Sequence, residues 1–480
     1  MRALLIILAV LPEVEAGFFR NLLEADSREQ TDVFNQAKKE IQDRREKLRE
    51  KLKVGFHGVD PEARRKRLQA LRNRTRHRME LNWTPEKQAE IEMLRAKIPK
   101  VTVDLTPNGQ EDDLFKLNEK KGVSEYMFQG DINLEEDQML VMEEAEESNS
   151  SRSKRQVSTR ARKWPNGIVY YHIDASINAR KRASISAALD YISSRTCISF
   201  RQDSTAANRV KVVSGDGCYS YVGMTGGEQI LSLGDGCEVI GTVAHEFAHA
   251  LGVWHTQMRF DRDTYVTIDL SSVDNRKEQI RFTSSGGKPS VVPKDVAYIF
   301  TMGSRQISFY DIQNLNTAYS CPKCPNKLNC SNGGYQNPKV CNECICPLGY
   351  AGIFCLQRPT GCGESLNASK TWTSKTFIFG DPTNSRSTRD DFTYCNHLIN
   401  APTGTKVEVK ITSMYNSQCN YGCAFNGIEI KTNSDQKIVN PRICCPQYNN
   451  VIFQSALNPT PIVSYNRFYY TSFTIEFRYI

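Results

Sequence analysis

Residues 239–255 read VIGTVAHEFAHALGVWH, a stretch in which three histidines follow one another at offsets of four and six residues. On a helix, His245 and His249 share one face, so both imidazoles can reach one metal ion. Gly252 can adopt a left-handed conformation that ends the helix and lets His255 return as a third ligand. Three protein ligands leave one coordination position open, as catalysis by zinc requires. The stretch therefore predicts a site for one Zn2+ ion per chain.

Glu246 is the residue of this stretch that predicts the chemistry. It follows the first histidine and can accept a proton from a water molecule that attacks a peptide carbonyl. Zinc lowers the pKa of such a water to about 7 and polarises the carbonyl. An HExxH sequence alone can also be two surface histidines on a helix, but Gly252 and His255 at the required offsets favour the metal site. The other histidines are predicted to be structural or at the surface: His57, His77, His172 and His397.

The N-terminus has the features of an export signal. Met1 and Arg2 precede an apolar run over residues 3–11, and in the following Val14-Glu15-Ala16 the residues Val14 and Ala16 fit the positions that a signal peptidase recognises. This run is about half of the roughly 20 residues that a membrane anchor needs, so residues 1–16 are predicted to be a signal peptide. We expect a secreted, extracellular product without a membrane anchor. A net charge of +8 over 480 residues is modest, and no nucleic-acid partner is expected.

Cysteines and glycosylation triplets agree with export. All sixteen cysteines lie between Cys197 and Cys445, and an even number in an exported chain favours disulfides. Five asparagines head N-x-S/T triplets and are predicted glycosylation sites: Asn73, Asn82, Asn149, Asn329 and Asn367.

The chain divides into segments that differ in composition and in hydrophobic periodicity. Residues 27–100 are rich in charged residues and leucine at helical spacing, which predicts solvated helices without a large core. An acidic stretch then leads into the basic cluster Arg152-Ser-Lys-Arg155, where an endoprotease of the secretory pathway is expected to cut after Arg155. Residues 17–155 would then be a removable prosegment. A mixed α/β domain follows to Cys321, then a short segment stapled by disulfides, then alternating strands typical of a β-sandwich.

The residues around the histidines resemble one family. SLGDGCEVIGTVAHEFAHALGVWH, at residues 232–255, followed by RFDRD, resembles the astacin family of metzincin zinc endopeptidases. The resemblance implies an α+β catalytic domain over 156–321, with Cys197 bonded to Cys321 and Cys218 to Cys237. Phe128-Gln-Gly-Asp131 resembles the family motif in which Asp131 would hold the open zinc position and keep the precursor inactive. The segment DVAYIFTMGSRQISFYD, at 295–311, and the module order resemble nematode astacins.

Two further modules are implied by resemblance. Residues 322–356 resemble an EGF-like module, whose pairing stays open because Cys341 and Cys344 are unusually close. Residues 362–480 resemble an all-β CUB domain with a Cys362–Cys395 bridge, and the order in which four further cysteines pair is open: Cys419, Cys423, Cys444 and Cys445. The expected fold is multidomain, with a mainly helical prosegment before these modules. Substrates are expected to be extracellular proteins, including those of matrix or cuticle.

Two departures from the family pattern leave a second function open. Thr256 stands where the family has a Glu that helps to bury the new N-terminus. Between Asp263 and Lys288 the chain is shorter than in astacins, and the Met-turn is missing, because neither Met302 nor Met414 fits it. The first hypothesis is a zinc endopeptidase made as a zymogen. The alternative is a catalytically impaired, astacin-like extracellular binding protein.

Overall fold

The computed structural model describes residues 27–99, 113–147, 161–269, 290–383 and 387–480. Three predicted features lie outside these ranges: the signal peptide at 1–16, the glycosylation site Asn149 and the cleavage site Arg155. Most of the shortened stretch between Asp263 and Lys288 also lies outside them. Within the described ranges, none of the helices combines the length and the apolar character that crossing a bilayer requires.

A six-stranded sheet forms the centre of the protease-like unit. In β4 alternate side chains, Val210 and Val212, are buried, as the two-residue period of a strand requires. The strand order is β1-β5-β6-β4-β2-β3; β5 runs antiparallel to β6, and β1 lies parallel to β5 at the sheet edge. The strands are β1 (Ile132–Asn133), β2 (Ile168–Ile173), β3 (Ser199–Gln202), β4 (Arg209–Val213), β5 (Cys218–Tyr221) and β6 (Glu228–Leu233).

Two helices pack against this sheet and supply most of the helical side chains in its core. Helix α6 (Ala179–Arg195) buries residues at helical spacing, including Ile185, Leu189 and Ile192. Helix α7 (Ile240–Ala250) contributes Val243 and Phe247 to the same cluster. A later helix, α8 (Phe309–Ala318), begins with a capping box between Ser308 and Asp311. A hairpin of β7 (Val266–Ile268) and β8 (Val291–Pro293) stands beside this unit.

The described part of the N-terminal segment forms five α-helices. They are α1 (Ser27–Gly55), α2 (Pro61–Leu81), α3 (Pro85–Lys97), α4 (Leu114–Lys120) and α5 (Glu136–Glu147). Leu48, Leu52 and Phe56 form one buried cluster with Tyr219 of the sheet. Most described side chains of 27–97 are exposed or half-buried, as predicted for solvated helices without a large core, and several of the few buried apolar ones share small cores with the protease-like unit.

The C-terminal half contains a small two-stranded unit and a sandwich. The small unit has β9 (Tyr335–Gln336) and β10 (Cys344–Ile345). The sandwich has one sheet in the order β11-β13-β18-β15-β16 and another in the order β12-β19-β14-β17. Its strands are β11 (Ser365–Asn367), β12 (Thr373–Gly380), β13 (Thr388–Asn400), β14 (Val407–Tyr415), β15 (Asn426–Ile430), β16 (Arg442–Ile443), β17 (Ile452–Ser455), β18 (Thr460–Phe468) and β19 (Tyr470–Tyr479).

All sixteen cysteines are paired in eight disulfides. In the protease-like unit, Cys197 is bonded to Cys321 and Cys218 to Cys237. The small unit has Cys324–Cys341, Cys330–Cys344 and Cys346–Cys355. The sandwich has Cys362–Cys395, Cys419–Cys445 and Cys423–Cys444. No disulfide therefore joins one of these three units to another.

A linking segment, residues 296–308, joins the protease-like unit to the sandwich. Ile299 and Phe300 are fully buried in the sandwich core, and Phe300 stacks on Tyr421 with ring centroids 5.4 Å apart. A few residues later, the carbonyl oxygen of Arg305 lies against Gly241 in the first turn of α7. The sandwich is thus connected to the helix that carries the histidines.

Candidate metal centre

The end of α7 fixes the path of the chain between the second and third histidines. The helix ends at Ala250, and Gly252 has φ +94°, a left-handed conformation that favours glycine. The Gly252 N–H donates to the His249 carbonyl, and the Val253 N–H donates to the Ala248 carbonyl, which is a Schellman motif. The turn directs His255 back toward the helix.

The structure brings the three histidines to one point. His245 Nε2 lies 3.0 Å from His249 Nε2 and 3.4 Å from His255 Nε2. The side chains of His249 and His255 are buried, whereas that of His245 is 39% exposed. The site is therefore open to solvent on the His245 side.

Second partners orient two of the imidazoles. His249 Nδ1 lies 2.7 Å from the Val253 carbonyl, and His255 Nδ1 lies 2.8 Å from Gln129 Oε1. Both oxygens accept hydrogen bonds, so each Nδ1 carries the proton and each Nε2 directs a lone pair at the common point. Burial, followed by the neighbouring imidazoles, holds the pKa of His249 well below its ordinary value, which keeps the ring neutral as a metal ligand must be.

Asp131 of the N-terminal segment reaches the same point. Its Oδ2 lies 3.1 Å from Nε2 of both His245 and His255 and 4.0 Å from that of His249. The side chain is fully buried. Burial alone would raise the pKa of Asp131, but its close approach to the imidazoles of the three histidines outweighs burial, so the pKa is lowered and the group is a carboxylate.

Glu246 is buried beside these donors. Its side chain has no exposed surface, and neither carboxyl oxygen has a hydrogen-bond partner among the described residues. Burial raises the pKa of Glu246 well above its ordinary value, and the Asp131 charge adds to this effect. A carboxyl group with a raised pKa holds a proton more readily, which suits a group that has to accept one.

The four donors fit a zinc ion. Asp131, His245, His249 and His255 each offer one ligand atom, and these atoms all lie within 4.8 Å of one another. Tetrahedral ligands about 2.0–2.1 Å from zinc stand roughly 3.3 Å apart, close to the separations around His245. Three neutral imidazoles and a carboxylate are also donors that zinc prefers.

Several residues important for this geometry were not singled out from the sequence. Gln129 orients His255, and it lies inside the motif Phe128-Gln-Gly-Asp131, so its place next to Asp131 in the sequence is the sign of this role. Trp164 Nε1 donates to the Ala250 carbonyl and Tyr319 Oη to the Leu251 carbonyl, which satisfies two terminal acceptors of α7. These two contacts come from distant parts of the chain, and local sequence carries no sign of them.

The structure places the remaining predicted residues away from the histidines. Met302 and Met414 both pack against the core of the C-terminal sandwich. The described glycosylation candidates all have exposed side chains: Asn73, Asn82, Asn329 and Asn367.

A mixed sheet backing a helix with two histidines, and a third histidine after a glycine turn, define a metzincin-type metalloprotease unit. The family model for Astacin, a family of peptidases, matches residues 156–283. Zinc metalloproteinase nas-32 of Caenorhabditis elegans is 43% identical over 426 residues, covering 80% of this chain and 65% of that protein. Zinc metalloproteinase nas-17 of the same nematode is 36% identical over 393 residues, covering 77% of this chain and 90% of that protein.

The chain therefore belongs to the astacin family of zinc metalloproteinases, and its fold is a multidomain metzincin fold. It spans slightly less than two thirds of the length of nas-32. Among solved structures, High choriolytic enzyme 1, a hatching enzyme zinc-protease of the medaka Oryzias latipes, is 28% identical, with a TM-score of 0.31. That match covers 36% of this chain and all of the hatching enzyme chain.

Proposed function

We propose that the chain is the secreted, inactive precursor of a zinc-dependent endopeptidase that hydrolyses peptide bonds of extracellular proteins. The observation that carries the proposal is the convergence of His245, His249 and His255 on one point, with the buried carboxyl group of Glu246 beside them. When bound, zinc would polarise the scissile carbonyl and acidify the attacking water.

Glu246 acts as the general base in this proposal. Its carboxylate takes the proton of the attacking water and holds it for transfer to the departing amine. The Val253 carbonyl keeps the His249 ring in the tautomer whose Nε2 faces the point where the donor atoms of the three histidines converge, called the metal point below. His249 and Glu246 are both buried in the precursor, and low exposure to water strengthens the electrostatic interactions of such groups.

Latency follows from the N-terminal segment. Asp131 would supply the fourth zinc ligand and so close the position that a substrate carbonyl needs. β1 pairs with β5 in the register Ile132 to Ser220, so it covers the sheet edge on which an extended peptide could bind. Activation requires that a secretory-pathway endoprotease cut after Arg155, which makes 17–155 the prosegment.

The proposed division of the chain follows from these roles. Residues 1–16 form the signal peptide, 17–155 the prosegment, 156–321 the catalytic domain, 322–356 the EGF-like module and 362–480 the CUB domain. Each disulfide closes within one of these units, which supports the boundaries. Exposed Asn73, Asn82, Asn329 and Asn367 are available for glycans, and matrix or cuticle proteins are candidate substrates.

A second candidate is an extracellular binding protein with impaired catalysis. The observation in its favour is that Met302 and Met414 pack on the sandwich core, so neither supports the imidazoles as a Met-turn residue would. This candidate keeps the zinc site but lacks groups that stabilise the transition state.

The test is cleavage of an unstructured protein by the precursor before and after processing at Arg155. We expect no activity before the cut, activity after it, and about one zinc per chain in both forms. Glu246→Gln should abolish hydrolysis and leave the zinc content unchanged, whereas Asp190→Asn, an exposed carboxylate on α6, should do neither. A processed protein that binds zinc and cleaves nothing would favour the binding-protein candidate. Absence of zinc would contradict both.

A further inference from the structure

Besides the histidine site and the pairing of β1 with β5, several surfaces of the protease-like unit contact the N-terminal segment, among them an edge surface and a hairpin surface. The edge surface consists of Tyr219, Tyr221 and Ile230 on β5 and β6. Leu48, Leu52 and Phe56 pack around Tyr219, with Ile230 beside them. Tyr221 Oη donates to the Gly55 carbonyl over 2.7 Å, and both tyrosines are buried.

The hairpin surface consists of Thr267, Asp269 and Lys294 at β7 and β8. Helix α3 covers it: Arg95 forms an ion pair with Asp269, which is fully buried. Glu90 accepts a hydrogen bond from Thr267 Oγ1 over 3.3 Å and lies 3.4 Å from Lys294 Nζ. Neither this surface nor the edge surface includes a metal donor.

Cutting the chain after Arg155 breaks none of these contacts, because all the residues involved lie upstream of 100 or downstream of 215. Release of the prosegment would expose Tyr219 and Tyr221 to water and would take the Arg95 guanidinium away from Asp269. Uncovering large apolar side chains and separating a buried ion pair are both unfavourable. Cleavage of one peptide bond removes only the covalent link between the prosegment and the rest of the chain. The prosegment then loses the high effective concentration that the link provides, but it keeps its contacts.

We propose that the edge surface and the hairpin surface together form a docking site for the cut prosegment, which stays bound after cleavage and has to be displaced before substrate enters. The proposal deepens the regulation of the proposed protease and rests on removal of the prosegment as its activation step. Asp131 blocks the metal point, whereas Leu52 and Arg95 hold the prosegment in place.

The experiment separates docking from catalysis and from the natural cleavage site. The full chain carries Glu246→Gln, which prevents self-digestion, and a recognition sequence for a specific added protease in place of residues 152–155. After cutting, gel filtration in non-denaturing buffer should show both fragments in one peak. Dilution then gives the dissociation rate of the prosegment. Failure of the natural site at Arg155 would affect the proposed function and leave this measurement intact.

Matched variants test each surface. Leu52→Ala should speed dissociation by about 30-fold or more, whereas Val54→Ala, 75% exposed on the same helix, should change it by less than about twofold. Arg95→Ala should speed it by about tenfold or more, and Lys97→Ala, exposed on α3, should not. Asp131→Ala should leave the fragments together.

Two results would overturn the proposal. One is separation of the fragments on cutting without any denaturant, which is decided on the parent protein and does not depend on whether a variant folds. The other is release of the cut prosegment by Asp131→Ala alone, because this result would mean that Asp131 by itself holds the prosegment in place.

Discussion

Gly241→Ala tests the support that the linking segment gives to α7. A Cβ atom at this position would lie 1.9 Å from the Arg305 carbonyl oxygen, whereas real Cβ contacts essentially never fall below 3.0 Å. Backbone must therefore move by at least about 1.1 Å. The Arg305 carbonyl cannot yield easily, because Ile299 and Phe300 anchor its segment in the sandwich core. The displacement falls instead on the first turn of α7, one turn before His245.

The expected magnitude follows from this geometry. Overpacking costs about 1–3 kcal/mol, and alanine's higher helix propensity returns at most about 1 kcal/mol. A displaced His245 should lower zinc affinity by about 10- to 100-fold, the range seen when groups supporting metal ligands are lost. Competition with a chelator of known affinity measures the zinc affinity of the variant. Gly55→Ala is the control, since its Cβ would meet nothing closer than Ile230 Cδ1 at 3.8 Å. Unchanged zinc affinity in Gly241→Ala would refute the reasoning.

Three further predictions concern stability. Leu68→Ala, in a fully buried position shared between the N-terminal segment and the protease-like unit, should cost about 2–5 kcal/mol in urea unfolding. A loss below about 1 kcal/mol would contradict its place in that core. Burial lowers the pKa of His397 to about 4, so its contribution is present above about pH 6.5 and lost as the pH falls to about 4. His397→Asn should flatten that part of the stability profile and exposed His77→Asn should not. Replacing Cys197 and Cys321 by serine should cost about 5 kcal/mol, because their bridge spans 124 residues, and an unchanged melting temperature would argue against the pairing.

Local chemistry explains why the sequence was informative about the histidine site. The face shared by His245 and His249 needs only helical periodicity, and the return of His255 needs only the left-handed turn at Gly252. Both are short-range effects, and the sequence displays them within seventeen residues. The second partners Gln129, Trp164 and Tyr319 could not be predicted in this way, because contacts made across the fold set their positions.

Two structural features depended on information that a single sequence does not display. The helices over 27–97 have a few apolar residues whose partners, such as Tyr219, lie far away in the chain, so helical periodicity alone could not show which of these residues are buried. Cys444 and Cys445 are neighbours in sequence, and either could have paired with Cys419. Cys445 lies in an extended conformation, in which successive side chains point to opposite sides, so each cysteine reaches a different partner.

The choice between the two candidate functions can also be approached through stability. Glu246 is fully buried on α7, and its carboxyl oxygens have no hydrogen-bond partner among the described residues. Burying such a group lowers the free energy of unfolding by about 1–3 kcal/mol. A protease needs this carboxyl group as its general base, whereas a protein that only binds has no use for it.

Glu246→Leu should therefore raise the stability of the precursor while it removes hydrolysis from the processed protein. Leucine has a similar volume and removes the desolvated carboxyl, so the melting temperature should rise by about 2–4 °C for each kcal/mol gained. Asp190→Leu, at an exposed site of the same unit, should shift stability by no more than about 0.5 kcal/mol. Thermal unfolding of both variants with the prosegment attached provides the comparison. A lower melting temperature for Glu246→Leu would mean that the carboxyl group stabilises the fold, and its presence would then say nothing in favour of catalysis.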